Sequence, residues 1–137
     1  MALQAYSFAR DGSTALSPHF HVREFRCRDG SDPVFVDTAL VELLERIREH
    51  FGRAVTITSA YRTPAHNAAA GGARFSQHLY GRAADIRVQG VSVEDVAAYA
   101  ESLMPDCGGV GRYPAKAGRT AGWVHLDTRA EKARWRG

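Results

Sequence analysis

Asp85 stands in the middle of Ala83-Ala84-Asp85-Ile86-Arg87-Val88, a run that reads as a β-strand. Side chains alternate across a strand, so Ala84, Ile86 and Val88 share one face while Asp85 shares the other with Ala83 and Arg87. A carboxylate beside such an apolar run is costly to bury unless it is paired or bound to a metal. Any fold that accepts this strand has to bring a partner to Asp85. Trp123-Val124-His125-Leu126-Asp127 repeats the alternation, with Val124 and Leu126 on one face and Trp123, His125 and Asp127 on the other. A further histidine, His78, precedes the first strand in Ser76-Gln77-His78-Leu79-Tyr80-Gly81, a loop containing a turn glycine. Two imidazoles and one carboxylate are the protein ligands of many catalytic zinc sites, which keep a fourth position open for water. Zinc acidifies that water toward neutrality and polarises a carbonyl, so amide hydrolysis is the natural reaction class.

The rest of the chain supplies a frame for these strands. Leu40, Leu43, Leu44, Ile47 and Phe51 recur at helical spacing, with Asp37 as a cap and Gly52 as a stop. Residues 54–58 form a β-rich run, and Thr63-Pro64 then opens a short helix reaching about Ala70 before Gly71-Gly72. Ser92 with Asp95 begins another helix, through about Leu103, whose apolar face is Val93, Val96, Ala97, Ala100 and Met104. Strands are expected at 109–113 and 122–127. Neighbouring strands joined by short connections imply an antiparallel sheet with flanking helices, hence an α+β fold. Residues 1–17 are polar and turn-rich and read as a leader or linker that packs loosely, leaving 18–137 as the single domain.

Composition excludes several function classes. With 137 residues, 45% hydrophobic and 24% charged, the chain has the balance of one globular domain. Its apolar runs are too short for a membrane span. Eighteen basic and fifteen acidic residues give a net charge of +3, but Arg23, Arg26, Arg28, Arg46 and Arg48 alternate with Glu24, Asp29, Glu42, Glu45 and Glu49. No basic stripe for nucleic acid emerges. No phosphate-binding loop accompanies Gly71-Gly72 or Gly108-Gly109. Cys27 and Cys107 lack the paired spacing of a thiolate zinc or redox motif and read as free thiols, with a disulfide between them as the alternative. His19, His21 and Asp29 read as structural, and a monomer is expected. The first residues show no secretory signal, so the protein is expected to be cytoplasmic until released, or extracellular if a leader was removed.

Any three His and Asp residues could be grouped as ligands; the wider pattern supplies the specificity. Ser59-Ala60-Tyr61-Arg62, then Ser76-x-His78-x-x-Gly81-x-Ala83-x-Asp85, then Trp123-x-His125 resembles the zinc D-Ala-D-Ala carboxypeptidase family of peptidoglycan peptidases. The likeness runs from about His19 to Trp135 and is nearest to the small members found in phages and prophages, of endolysin type. It implies the α+β zinc fold shared with lysostaphin-type enzymes and the hedgehog signalling domain. It also implies one Zn2+ held by His78, Asp85 and His125, with Arg62 clamping substrate or stabilising the oxyanion and Ser76 binding substrate backbone. The implied partner is a peptide stem or cross-link of peptidoglycan, cut beside a D-amino acid. The pattern departs at the general base: Gly122 and Trp123 occupy the positions where members carry Glu or Asp, or His. Asp127 shares the strand face with His125 and could be that base. It could equally orient an imidazole or pair with Arg129; His66 is the fallback. Tyr61, Tyr80, Tyr113 and Trp123 are candidates to line a groove or to fill the core. A zinc-stabilised cell-wall-binding module without catalysis is the alternative function.

Overall fold

The computed structural model describes residues 2–137. β1 (Leu3–Ser7) leads into the four-residue α1 (Phe8–Asp11) and the short strands β2 (Ala15–Ser17) and β3 (Phe20–His21). β4 (Pro33–Asp37) then returns beside β1, antiparallel, with Leu3 opposite Asp37 and Ser7 opposite Pro33. Within the stretch 1–17 expected as a loosely packed leader or linker, residues 3–7 are thus paired with β4. β1 has no alternating pattern in its sequence, because Leu3, Gln4 and Ala5 are all exposed. Main-chain pairing holds it, helped by the Asp32 carboxylate, which accepts from the Ser7 hydroxyl and the Ala9 amide, both at 2.9 Å.

Asp37 ends β4 and caps α2 (Thr38–Phe51), its Oδ1 accepting from the Ala39 amide at 3.1 Å; Gly52, in the left-handed region, closes the helix. Leu40, Leu44 and Ile47 are buried as their spacing requires. After it come β5 (Val55–Ser59), α3 (Pro64–Ala69), β6 (Ala83–Val88), α4 (Val93–Leu103), β7 (Gly109–Tyr113), β8 (Trp123–Asp127) and β9 (Ala133–Arg136). Five of these strands form the main sheet in the order β5-β6-β8-β7-β9. The expected antiparallel pairing holds for its first four strands, while β9 joins β7 in parallel. β9 is Ala-Arg-Trp-Arg, only four residues long, with two of them arginine. The fold is α+β.

α2 and α4 cover one face of this sheet, where Ala84, Ile86, Val110, Val124 and Leu126 form the core with Val96, Ala97 and Ala100 of α4. Ser92 caps α4 by accepting from the Asp95 amide at 3.1 Å. Cys27 and Cys107 are free thiols, the first buried and the second exposed. Among the described residues no helix is long and apolar enough to cross a membrane.

Candidate active site

The other face of the main sheet carries the chemistry. One rung across its five strands places Ser59, Asp85, His125, Gly111 and Trp135 side by side. The register of β6 against β8 sets Asp85 directly opposite His125. On β5 the register shifts between Ile57 and Ser59, so that Ile57 faces the core partner Ile86 while Ser59 faces Asp85. Such a bulge re-aims a side chain to the opposite face of a sheet. His78 comes from a 3-10 turn, Gln77–Tyr80, whose first amides are capped by Ser76: its Oγ accepts from the His78 amide at 3.2 Å. Gly81 ends that turn with a φ of 69°, and a Cβ there would lie 2.5 Å from the Phe35 carbonyl oxygen. Only glycine meets both conditions.

The three side chains converge. Asp85 Oδ1 lies 3.0 Å from His125 Nδ1 and 3.3 Å from His78 Nε2, and the two rings are 5.1 Å apart at 77°. The far nitrogen of each ring is engaged. His78 Nδ1 is 2.7 Å from the Ala60 carbonyl oxygen, which can only accept, so Nδ1 carries a proton and Nε2 is the nitrogen that faces Asp85. His125 Nε2 donates to Asp127 Oδ2 at 2.8 Å, turning Nδ1 toward the same point. Burial works to raise the Asp85 carboxyl, but hydrogen bonds with His125 and His78 hold it well below the usual range, so it is anionic at neutral pH. Burial likewise works to lower His125, and its bonds with Asp127 and Asp85 raise it instead. Two oriented imidazole nitrogens and a carboxylate oxygen, all within 4.8 Å of one another, fit a divalent zinc-type cation.

Asp127 is not in this pocket. It is fully buried, and its carboxylate grips the remote nitrogen of His125. Oδ1 accepts from the Gly109 amide at 3.0 Å, the Arg129 amide at 3.2 Å and Arg129 Nε at 2.8 Å, while Oδ2 accepts from Arg129 Nη2 at 2.6 Å. Gly109 lies opposite Asp127 in the sheet, and a Cβ on it would stand 2.2 Å from Oδ2. Burial pushes the Asp127 carboxyl up, but its bonds with His125 and Arg129 bring it well below the ordinary range. The expectation that Asp127 takes the proton of the nucleophilic water therefore does not match its position. It sits behind the imidazole, where its contacts are His125, Arg129 and the Gly109 amide. His66, the fallback, does not line the groove either.

Arg62 does reach the cluster. Its Nε donates to Ser59 Oγ at 3.0 Å, Nη1 to Asn67 Oδ1 at 3.2 Å, and Nη2 approaches Asp85 Oδ2 at 3.5 Å. The cluster forms the floor of an open groove of about 520 Å³. Tyr113 stacks on Trp123 with ring centres 4.9 Å apart and accepts a hydrogen bond from Trp135 Nε1 at 2.8 Å. These aromatics line the groove, whereas Tyr61 is buried and outside it. Phe75, 70% exposed, stands on the rim beside Ser76. Three contributors had no role at the groove assigned from the sequence. Asn67 is a buried amide that holds Arg62; Arg129 lies over the Trp135 ring at 5.3 Å; and Trp135 comes from the unannounced β9.

The sequence pattern of the Peptidase M15 family matches residues 18–127, well over half of the chain. The chain belongs to the Peptidase M15 family. That span runs from the start of β3's approach to the last residue of β8 and takes in His78, Asp85 and His125. A Haemophilus influenzae protein named as a probable peptidoglycan L,D-endopeptidase, MepK, is 35% identical over 88 residues, which is 61% of this chain and 43% of that protein. The chain thus matches less than half the length of this curated relative.

Proposed function

We propose that this M15 family member is a zinc-dependent peptidoglycan peptidase that hydrolyses a peptide bond beside a D-amino acid in the stem or cross-link. The observation that carries the reading is the convergence of His78 Nε2, His125 Nδ1 and Asp85 Oδ1 on the floor of an open groove, each imidazole locked by an acceptor on its far side. Held by those three atoms, zinc would supply a Lewis acid for the scissile carbonyl and a water acidic enough to act as nucleophile near neutral pH.

The surrounding side chains have roles that follow from their positions. Arg62 keeps a permanent positive charge beside the cluster, suited to a substrate carboxylate or to negative charge developing on the carbonyl oxygen. Ser59 and Asn67 hold its guanidinium in place. Asp127 is a positioning residue that keeps the His125 proton on Nε2. The Ser76 hydroxyl accepts from the His78 amide and retains its own proton to offer a substrate carbonyl. Tyr113, Trp123 and Trp135 give apolar walls to a peptide stem. Endopeptidase action is favoured by the name of the Haemophilus relative; carboxypeptidase action would use Arg62 for the free terminus. The net charge of +3 suits an anionic cell wall, reached at lysis in the manner of a phage lysin.

One observation favours the second reading, a zinc-stabilised wall-binding module: Asp85 is the sole carboxylate among the described residues lining the groove, so no further acidic side chain stands ready as a base. The deciding experiment measures bound zinc and the mass spectrum of muropeptides after digestion of purified peptidoglycan. The peptidase reading expects one zinc in this cluster, one class of new amine ends, and loss of both in His78→Ala. Intact sacculi at full zinc occupancy would leave only the binding module.

A further inference from the structure

A second set of metal-type side chains lies outside the groove. Cys27 and Asp29 belong to the loop that follows the 3-10 turn Val22–Phe25, and His66 to the first turn of α3. One ligand atom from each of the three lies within 4.8 Å of the others. Thr63, the cap of α3, ties them together. Its amide donates to Cys27 Sγ at 3.5 Å, its hydroxyl donates to Asp29 Oδ2 at 3.0 Å, and the same oxygen accepts from the His66 amide at 3.2 Å. The Ser31 amide fixes the other carboxylate oxygen at 2.8 Å.

The burial of the three is graded. The sulfur is fully enclosed, His66 is half-buried and Asp29 is exposed. An enclosed thiol cannot meet a substrate carbon or the exposed Cys107, which excludes a nucleophile and a disulfide. A small cation entering past Asp29 and His66 can still reach it. Hydrogen bonds from the Ser31 amide and the Thr63 hydroxyl hold the two oxygens of the Asp29 carboxylate in place.

We infer that Cys27, Asp29 and His66 form a second cation site, separate from the His78 cluster, that takes a borderline-soft divalent ion such as zinc. A sulfur, nitrogen and oxygen donor set selects zinc over magnesium or calcium, and three protein ligands with one water complete a tetrahedron. Its position suggests what an ion there does. His66 precedes Asn67, which holds Arg62 Nη1 and, through Nδ2, the Ala73 carbonyl oxygen at 2.9 Å. An ion joining His66 to the 27–29 loop braces the helix that places Arg62.

The test uses cobalt, whose bond to a thiolate gives a charge-transfer band in the near ultraviolet that an all-imidazole and carboxylate site cannot produce. The full chain carrying Cys107→Ser, stripped with chelator, is titrated with Co2+ while absorbance and bound metal are followed. The inference expects the band, its removal by zinc, and its loss in Cys27→Ser. Because the buried Cys27 variant could misfold, the variant of the half-buried His66, His66→Gln, serves as the second arm. Loss of a direct ligand there raises the cobalt needed for half-saturation by at least the ~10-fold typical of outer-sphere changes. No band in the Cys107→Ser chain, or a His66→Gln band with unchanged midpoint, overturns the inference. A band with a single equivalent bound supports this site and counts against the His78 cluster, so the two readings fail independently.

Discussion

Replacing Asp127 by Asn keeps the shape of the side chain and removes one acceptor oxygen. The native carboxylate receives five hydrogen bonds, three on Oδ1 and two on Oδ2. An amide nitrogen in place of Oδ1 would confront the Gly109 amide, the Arg129 amide and Arg129 Nε, three donors at once. In place of Oδ2 it confronts only Arg129 Nη2 and His125 Nε2–H, so the variant adopts that orientation. Arg129, with 29% of its side chain exposed, can turn to water, but His125 can accept from the amide only by moving its proton to Nδ1. That proton then points at Asp85, where the lone pair is needed. Losing one charge-assisted bond costs the apo fold about 1.5–3 kcal/mol, which a domain of this size survives. Zinc affinity should fall by ~10–100-fold, as for other outer-sphere carboxylates. Urea denaturation of the apo protein, zinc competition against a chelator, and nitrogen-15 shifts of the His125 ring read these separately. A variant that keeps its zinc affinity and its Nε2–H tautomer would refute the positioning argument.

Gly109→Ala should act on the same carboxylate by crowding, lowering stability by about 1–3 kcal/mol in urea melts, because its Cβ would overlap an Asp127 held by five bonds. Arg62→Lys should reduce kcat/KM at least ~10-fold at unchanged zinc content, since a lysine cannot reach Ser59, Asn67 and Asp85 together. Phe75→Ala should leave the denaturation midpoint within about 0.5 kcal/mol, being a surface change, yet raise KM for peptidoglycan fragments if the rim touches substrate. Glu45 is a pH probe away from the groove. Burial works to raise it, but bonds from Ser17 and from the amide and ring of His19 bring it below the usual glutamate range. A carboxylate lowered on folding contributes stability above its unfolded pKa and loses it as pH falls through the folded value. Glu45→Gln should therefore destabilise by about 1 kcal/mol at pH 7, with the gap to the parent protein closing below about pH 4; a gap that persists at pH 3 would count against this sign.

Periodicity made much of the fold legible. α2, α4, β6, β7 and β8 carry regular apolar spacing or marked caps, and the structure ends them within a residue or so of where Asp37, Gly52, Ser92 and Pro105 suggest. β1 and β9 announce themselves poorly: one is exposed along most of its length, and the other has only four residues, too short for its alternation of arginine with Ala and Trp to stand out. Their pairing depends on partners far away in the chain, β4 and β7, so no local reading reaches them.

The site divides in the same way. Alternation alone sets Asp85 opposite its apolar neighbours and puts His125 and Asp127 on one face of β8, because the period of a strand is two whatever surrounds it. The same local logic marks His78 in its Ser76-capped turn and Gly81 at the turn's end. Which ring nitrogen meets which oxygen is a different kind of fact. Asp127 lies on the same face as Asp85, one step further along β8, and the imidazole stands between the two carboxylates. The space emptied by Gly109, the guanidinium of Arg129 and the carbonyl of Ala60 decide which atom each histidine presents. Those groups arrive from three separate segments, so the identity of the candidate ligands is local to the sequence while their protonation and aim belong to the packed sheet.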